Sequence, residues 1–225
     1  WRWWPAAAVA LVTADLFIIG FGFYPRSDPA LLKATPPAVA FLQQDKGQFR
    51  VATLDAPDEK LFNANSLMIY RIQDVRGYDS IIPRRYTEFM GMIEGQGELL
   101  YNRIAPFYWA GSLDSPLVDL LNVRYVATTQ RISNPSYSLV YDGELLIYRN
   151  NEALPRAFVV TDARVLADAA LREALKTFDP RAEVLLEQTP TFTALTSADG
   201  AAMPPGATTA AEIVHYAPNR VVIRA

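Results

Sequence analysis

The sequence predicts an α+β fold: one N-terminal transmembrane helix, then a soluble α+β domain with a mixed sheet, then the start of a β module. Three observations predict it. Pro5 to Tyr24, PAAAVALVTADLFIIGFGFY, is a run of the length a helix needs to cross a bilayer core, with one ionisable residue, Asp15. Behind it, short β-rich stretches alternate with segments whose leucines recur at helical spacing. Finally, Gln188 to Ala211 is rich in Thr, Ala, Gly and Pro, and a strand pattern resumes beyond it.

The first element is justified by its flanks as well as its length. Trp1, Trp3 and Trp4 stand at one end and Phe23 and Tyr24 at the other, where aromatic rings favour the membrane interface. A cleaved signal peptide fits less well, because the run is long and GFGFYP is a poor cleavage site. A buried core helix is seldom this apolar all round. The chain has no starting Met and opens at what looks like a helix end, so further membrane helices are expected upstream. Asp15 sits near the middle of the run, where a lone acid costs about 2.5–3.5 kcal/mol on insertion scales. It is expected to face protein or water: either a substrate or ion inside a bundle, or simply a neighbouring helix.

Composition bounds the rest. Of 225 residues 51% are hydrophobic, and the net charge is −3 without a basic cluster. No nucleic-acid partner is expected, since phosphates call for a Lys/Arg patch. There is no cysteine, which excludes disulfides and thiolate metal sites, and the single histidine, His215, excludes a multi-His site. Charge counting does not orient the helix, because Arg2 precedes it and Arg26 and Lys33 follow it.

Residues 1–25 are read as the membrane helix, 26–187 as an extracytoplasmic α+β domain, 188–211 as a linker and 212–225 as the first hairpin of a β module. Pro25 to Pro37 is a turn-rich exit. A short helix ending at Gln44 starts at Thr35-Pro36, a cap followed by proline in the first turn. Gln48 to Leu54 reads as a strand, Ala56 to Asn65 as a loop, and Ser66 to Ile72 as either strand or short helix. Arg84 to Ile93 is helical, and so is Leu113 to Asn122, capped by Asp114 or Ser115 with Pro116 in its first turn. Val123 to Thr128 is a strand. Ser138 to Arg149 is a hairpin about Asp142-Gly143. Ala157 to Thr161, Ala167 to Phe178 and Ala182 to Glu187 read as strand, helix and strand, a crossover unit against the mixed sheet. Glu212 to Ala225 forms two strands about Pro218-Asn219. His215, in the first arm, is read as a hairpin residue without a special role.

One polar cluster is a candidate site. In Val75 to Ser80, VRGYDS, Gly77 suggests a turn or a positive φ. Arg76, Tyr78, Asp79, Arg84 and Arg85 could form a pocket whose guanidiniums meet an anionic or sugar group. The competing reading, a structural turn with Asp79 paired to Arg76, Arg84 or Arg85, is the commoner fate of such clusters. Other chemistry is absent from the sequence: no Walker loop, no GxGxxG, no GxSxG elbow and no HExxH.

Six short motifs occur in order over nearly the whole chain: Asp15-Leu16 in the membrane helix, Gly47-Gln48-Phe49-Arg50-Val51, Gly77-Tyr78-Asp79-Ser80, Leu121-Asn122-Val123-Arg124-Tyr125-Val126, Ala153-Leu154-Pro155-Arg156-Ala157-Phe158 and Pro218-Asn219-Arg220-Val221. In these the chain resembles the carboxy-terminal part of the YfhO-like family of bacterial multi-spanning membrane proteins. The resemblance implies a glycosyltransferase-like membrane protein of the cell envelope. Its sugar donor would be a polyprenyl-phosphate sugar, used by the full-length protein only. Its partners would be membrane lipid, upstream transmembrane helices and a cell-envelope glycopolymer such as a teichoic acid. The catalytic acid of such enzymes lies in an early external loop, so no catalytic residue is carried over here. The role implied for this chain is an accessory domain that positions the acceptor. The alternatives are a structural or interaction domain anchored to the membrane, or a tethered hydrolase.

Overall fold

The computed structural model describes residues 2–23, 28–95, 103–189 and 208–225. The chain is a mixed α+β protein made of two compact units, Trp1–Pro36 and Pro37–Ala225.

In the first unit, α1 (Trp4–Phe21) is the apolar run, with Pro5 in the first turn, where its missing N–H costs nothing. Its 18 residues rise about 27 Å at 1.5 Å each, close to the thickness of a hydrocarbon core. Mean hydropathy is 1.8 and none of its side chains is buried, so α1 is apolar enough to span a membrane and presents that surface outward. A 3-10 turn, Pro29–Lys33, follows, opened by the Asp28 carboxylate accepting the Ala30 N–H at 2.8 Å. Residues 25–27 of the expected membrane exit and the flanking aromatics Trp1 and Tyr24 lie outside the described residues.

The second unit begins with α2 (Pro37–Leu42), one residue later than the sequence suggests. The Ala38 N–H, a free donor at the helix start, is satisfied by Glu144 Oε1 at 2.7 Å from a distant hairpin turn. Next come β1 (Arg50–Leu54), a 3-10 turn (Ser66–Tyr70), β2 (Gln73–Asp74) and α3 (Arg84–Ile93). A further 3-10 turn, Ala110–Asp114, leads into α4 (Pro116–Leu120), where Ser115 caps by accepting the Leu117 N–H. Then follow β3 (Val123–Thr128), β4 (Tyr137–Asp142) and β5 (Leu146–Asn150).

These five strands form one mixed sheet in the order β2-β1-β3-β5-β4. β2, β1 and β3 run parallel, and β5 and β4 antiparallel. Both faces are covered, which is why β1 and β3 read as nearly unbroken apolar runs. Val51, Tyr125 and Ile147 point to the face under α2 with Val39, Leu42 and Leu67. Ala52, Leu54, Val126 and Tyr148 point to the other, against Met90 and Ile93 of α3 and Leu117 and Val118 of α4. The two-residue period thus sorts each strand between two cores.

The remainder differs from the sequence reading. Phe158–Val160 is a strand (β6), and a second strand, Asp162–Val165 (β7), follows almost at once. The crossover runs from β7 through α5 (Asp168–Leu175) to β8 (Glu183–Leu186), and this parallel pair is a sheet of its own, not an extension of the five strands. β6 pairs instead with β9 (Thr208–Ala210), which falls within the stretch read as a linker; residues 190–207 of that stretch lie outside the described residues. The closing hairpin, β10 (Glu212–Ala217) and β11 (Arg220–Arg224), turns at Pro218-Asn219 as its sequence suggests. Gly77 does not take a left-handed φ; that conformation belongs to Asn65 at 69° and to Arg71 and Asn122 at 60° each.

Candidate functional site

A cluster of cationic and polar side chains lies at the start of the parallel strands β1 and β2. A bulge in the β1–β3 register falls between Arg50 and Val51. The extra residue of the bulge is Arg124 on β3, whose guanidinium turns to Asp45, and Arg50 is the last β1 residue before the shift. Its backbone N–H donates to the Asn122 carbonyl at 2.9 Å and its guanidinium donates to the Leu121 carbonyl at 3.0 Å, so the head group is fixed from behind. Across the β1–β2 pair, Gln73 stands opposite Arg50. Gln73 donates to the Tyr216 hydroxyl at 3.5 Å, and Arg156 donates to the same oxygen at 3.4 Å. Four separate segments therefore meet: β1, β2, the chain before β6, and the closing hairpin.

Beside them lies a cavity of about 460 Å³ whose wall includes Arg50, Arg71, Gln73, Asp74 and Arg76. Asp74 and Arg76 neutralise each other: Asp74 takes bonds from Arg76 Nε and Nη2 and from the Arg76 N–H, while Arg76 Nη1 donates to the Phe62 carbonyl. Tyr86 of α3 donates its hydroxyl to the Val75 carbonyl. No such balance exists for Arg50 and Arg156: among the described residues no carboxylate pairs with either.

The electrostatics follow from this. Burial, then the neighbouring Arg156 charge, push the Arg50 guanidinium down from its ordinary value. The Arg156 bond, against a smaller opposing effect of burial, pulls the Tyr216 phenol down. Burial pushes the Tyr86 phenol up. The arrangement is a donor set, half-buried at Arg50, Gln73 and Arg156 and exposed at Tyr216, with excess positive charge suited to receiving an anion.

The cluster chosen from the sequence is dispersed. Arg76 is locked to Asp74, not to Asp79. Tyr78 is exposed; its carbonyl accepts from the Asn65 side-chain amide and its N–H donates to Asn65 Oδ1. Asp79 accepts the Ile81 N–H in a local turn. Arg84 pairs with Glu88 and Arg85 with Glu187, both at the surface of α3. Thus none of Arg76, Arg84 and Arg85 pairs with Asp79, and of the five only Arg76 enters the cavity wall. Asp15 is exposed on α1, and His215 is exposed on β10 opposite Val222. Among the described residues no group of three or more His, Asp or Glu is placed to hold a metal ion. The residues missed are Arg50, Gln73, Arg156 and Tyr216. Arg50 and Arg156 stand within two of the ordered motifs, and Tyr216 lies two residues before a third.

Comparisons with protein-family models, with curated proteins and with solved structures found no match.

Proposed function

We propose that this chain is the last membrane helix and an extracytoplasmic accessory domain of a polytopic membrane protein, one that resembles a lipid-linked-sugar-dependent glycosyltransferase of cell-envelope polymers. Its work is to position the acceptor. The observation that carries this reading is the unbalanced pair of Arg50 and Arg156 beside an open cavity, in a chain that also holds a helix apolar enough to span a membrane. Such a site favours an anionic polymer over a neutral one. The transfer chemistry and the polyprenyl-phosphate sugar belong to upstream helices in this reading, and no residue of this chain is given a catalytic role. Reconstitution of the full-length protein with lipid-linked sugar and envelope polymer tests it. Deleting residues 26–225 is expected to abolish or sharply reduce transfer; undiminished transfer would overturn the reading.

A second reading, an interaction domain without a polymer ligand, draws on a different observation. Met68, Ile69 and Ile81 are 67%, 71% and 83% exposed. Exposed apolar side chains of this size favour a protein surface against them. In that case the same deletion changes assembly with the membrane helices while polymer binding is absent throughout.

A further inference from the structure

We infer that Arg50, Gln73, Arg156 and Tyr216 form a binding site for a phosphoryl oxyanion, a phosphate monoester or diester. The inference rests on the acceptor-positioning reading for where the ligand comes from and names the chemical class that the site takes.

Charge gives the sign of the ligand. Arg50 is half-buried and held in place by the Leu121 carbonyl, which satisfies one of its donors but none of its charge. Gln73, opposite Arg50 in the strand register, and Arg156 both reach the Tyr216 oxygen, so the second guanidinium stands in the same small space as the first. Two like charges in a partly desolvated place repel, and a bound anion turns that repulsion into attraction.

Donor geometry gives its shape. A carboxylate offers two oxygens in one plane and is satisfied by a single guanidinium fork. Here the donors come from four side chains on four segments, two of them meeting at the Tyr216 oxygen. Tyr216 accepts from both Gln73 and Arg156, and its own hydroxyl proton has no acceptor among the described residues. The two contacts to it are long, 3.5 and 3.4 Å, at the limit of a direct bond, so both donors have reach to spare for a ligand oxygen. Four donor side chains exceed what the two oxygens of a carboxylate call for and match a tetrahedral group with three or four oxygens.

The hairpin's part is specific. Tyr216 lies on β10 and is the residue through which the closing hairpin touches both Gln73 and Arg156. Ligand binding is therefore expected to hold the hairpin against the domain.

The test uses the full chain in nanodiscs of zwitterionic lipid, titrated with inorganic phosphate and with glycerol phosphate at constant ionic strength, and with acetate for comparison. The expected result is saturable binding of both phosphates and weaker binding of acetate. Arg156→Gln is expected to weaken phosphate binding roughly 10- to 100-fold, as for hydrogen bonds to charged groups, and Tyr216→Phe roughly 2- to 10-fold. Arg220→Gln, an exposed change on the same hairpin, is the control and leaves binding as in the wild type. Unfolding temperatures of the variants show whether the fold is intact. A second arm replaces part of the lipid with phosphatidylglycerol. Competition lost in Arg156→Gln identifies a lipid headgroup as the source of the phosphoryl group; no competition identifies a soluble ester or polymer. Equal binding in the wild type and Arg156→Gln, or acetate bound as tightly as phosphate, overturns the inference. Phosphate binding in a protein whose polymer transfer survives deletion of the domain keeps the site and removes the acceptor role. Transfer that needs the domain without phosphate binding does the reverse.

Discussion

Arg76 closes on Asp74 away from water, with Nη2 2.7 Å from Oδ2 and the two side chains 3% and 6% exposed. The pair fixes the backbone that follows β2, because Arg76 also holds the Phe62 carbonyl from the loop before it. Breaking a buried pair from one side strands a charge. Arg76→Ala is therefore expected to lose about 3–5 kcal/mol of stability in urea unfolding, and removing both partners for apolar residues of similar size to lose less than either single change. A loss under about 1 kcal/mol for Arg76→Ala would show that the charge is not desolvated.

Two aspartates give pH dependences of opposite sign. Burial pushes the Asp55 carboxyl above its ordinary 3.8; Thr53, Arg76 and the Leu61 backbone pull it back by less, and neither oxygen makes a well-formed hydrogen bond. Its folded form binds the proton more tightly, so this stability is complete below pH 3.8 and is lost as the pH rises through the folded value. At Asp45 burial also pushes upward, but bonds from Arg124, the Gly47 N–H and Tyr125 outweigh it and leave the carboxyl low. That contribution is complete above 3.8 and is lost as the pH falls through the depressed value. In stability-versus-pH curves, Asp55→Asn should remove part of the decline on raising the pH, and Asp45→Asn part of the decline in acid. Exchanged effects would contradict both assignments.

Leu121 and Asn122 join α4 to β3, and Asn122 takes a φ of 60°. It is 1% exposed, and its side-chain amide donates to the Leu154 carbonyl at 2.8 Å. Asn122→Ala should cost about 2–4 kcal/mol, from the left-handed backbone and the unmade bond. Asn122→Gly tolerates the backbone and should cost less. Chemical unfolding of the two variants orders them, and equal losses would place the whole effect in the hydrogen bond.

The apolar helix α1 carries its own test. Asp15 is the one acid in α1, so Asp15→Leu should make insertion more favourable by about 3–4 kcal/mol on a biological scale. A glycosylation-reporter assay of the isolated segment reads this directly. No change would mean that the aspartate already lies outside the hydrocarbon region.

How much was legible in the sequence follows from where the signals sit. β3 and the β4–β5 hairpin were plain, because β-branched runs covered on both faces and a turn at Gly143 are local signals; the turn itself is the three residues 143–145, and Asp142, expected in it, is the last paired residue of β4. Ser115-Pro116 marked α4 for the same reason. β7 was not legible: its four residues are all exposed, so no burial imposes a period on them. β9 lies in a stretch of linker composition and exists as a strand through its partner β6. The site was the least legible. VRGYDS drew notice by bringing polar residues together in sequence, whereas Arg50, Gln73, Arg156 and Tyr216 meet only when β2 pairs with β1 and the closing hairpin folds back. A single arginine at a strand start carries no local mark of this. The tie between Asp74 and Arg76 likewise depends on burial, not on spacing.

The most direct measurement is equilibrium binding of a phosphodiester-linked envelope glycopolymer to the full chain in neutral nanodiscs, over a range of salt. The account predicts saturable binding that weakens as salt rises and is lowered by Arg156→Gln with the unfolding temperature unchanged. Binding of a neutral glycan with equal strength, or no difference between Arg156→Gln and the wild type, would contradict it.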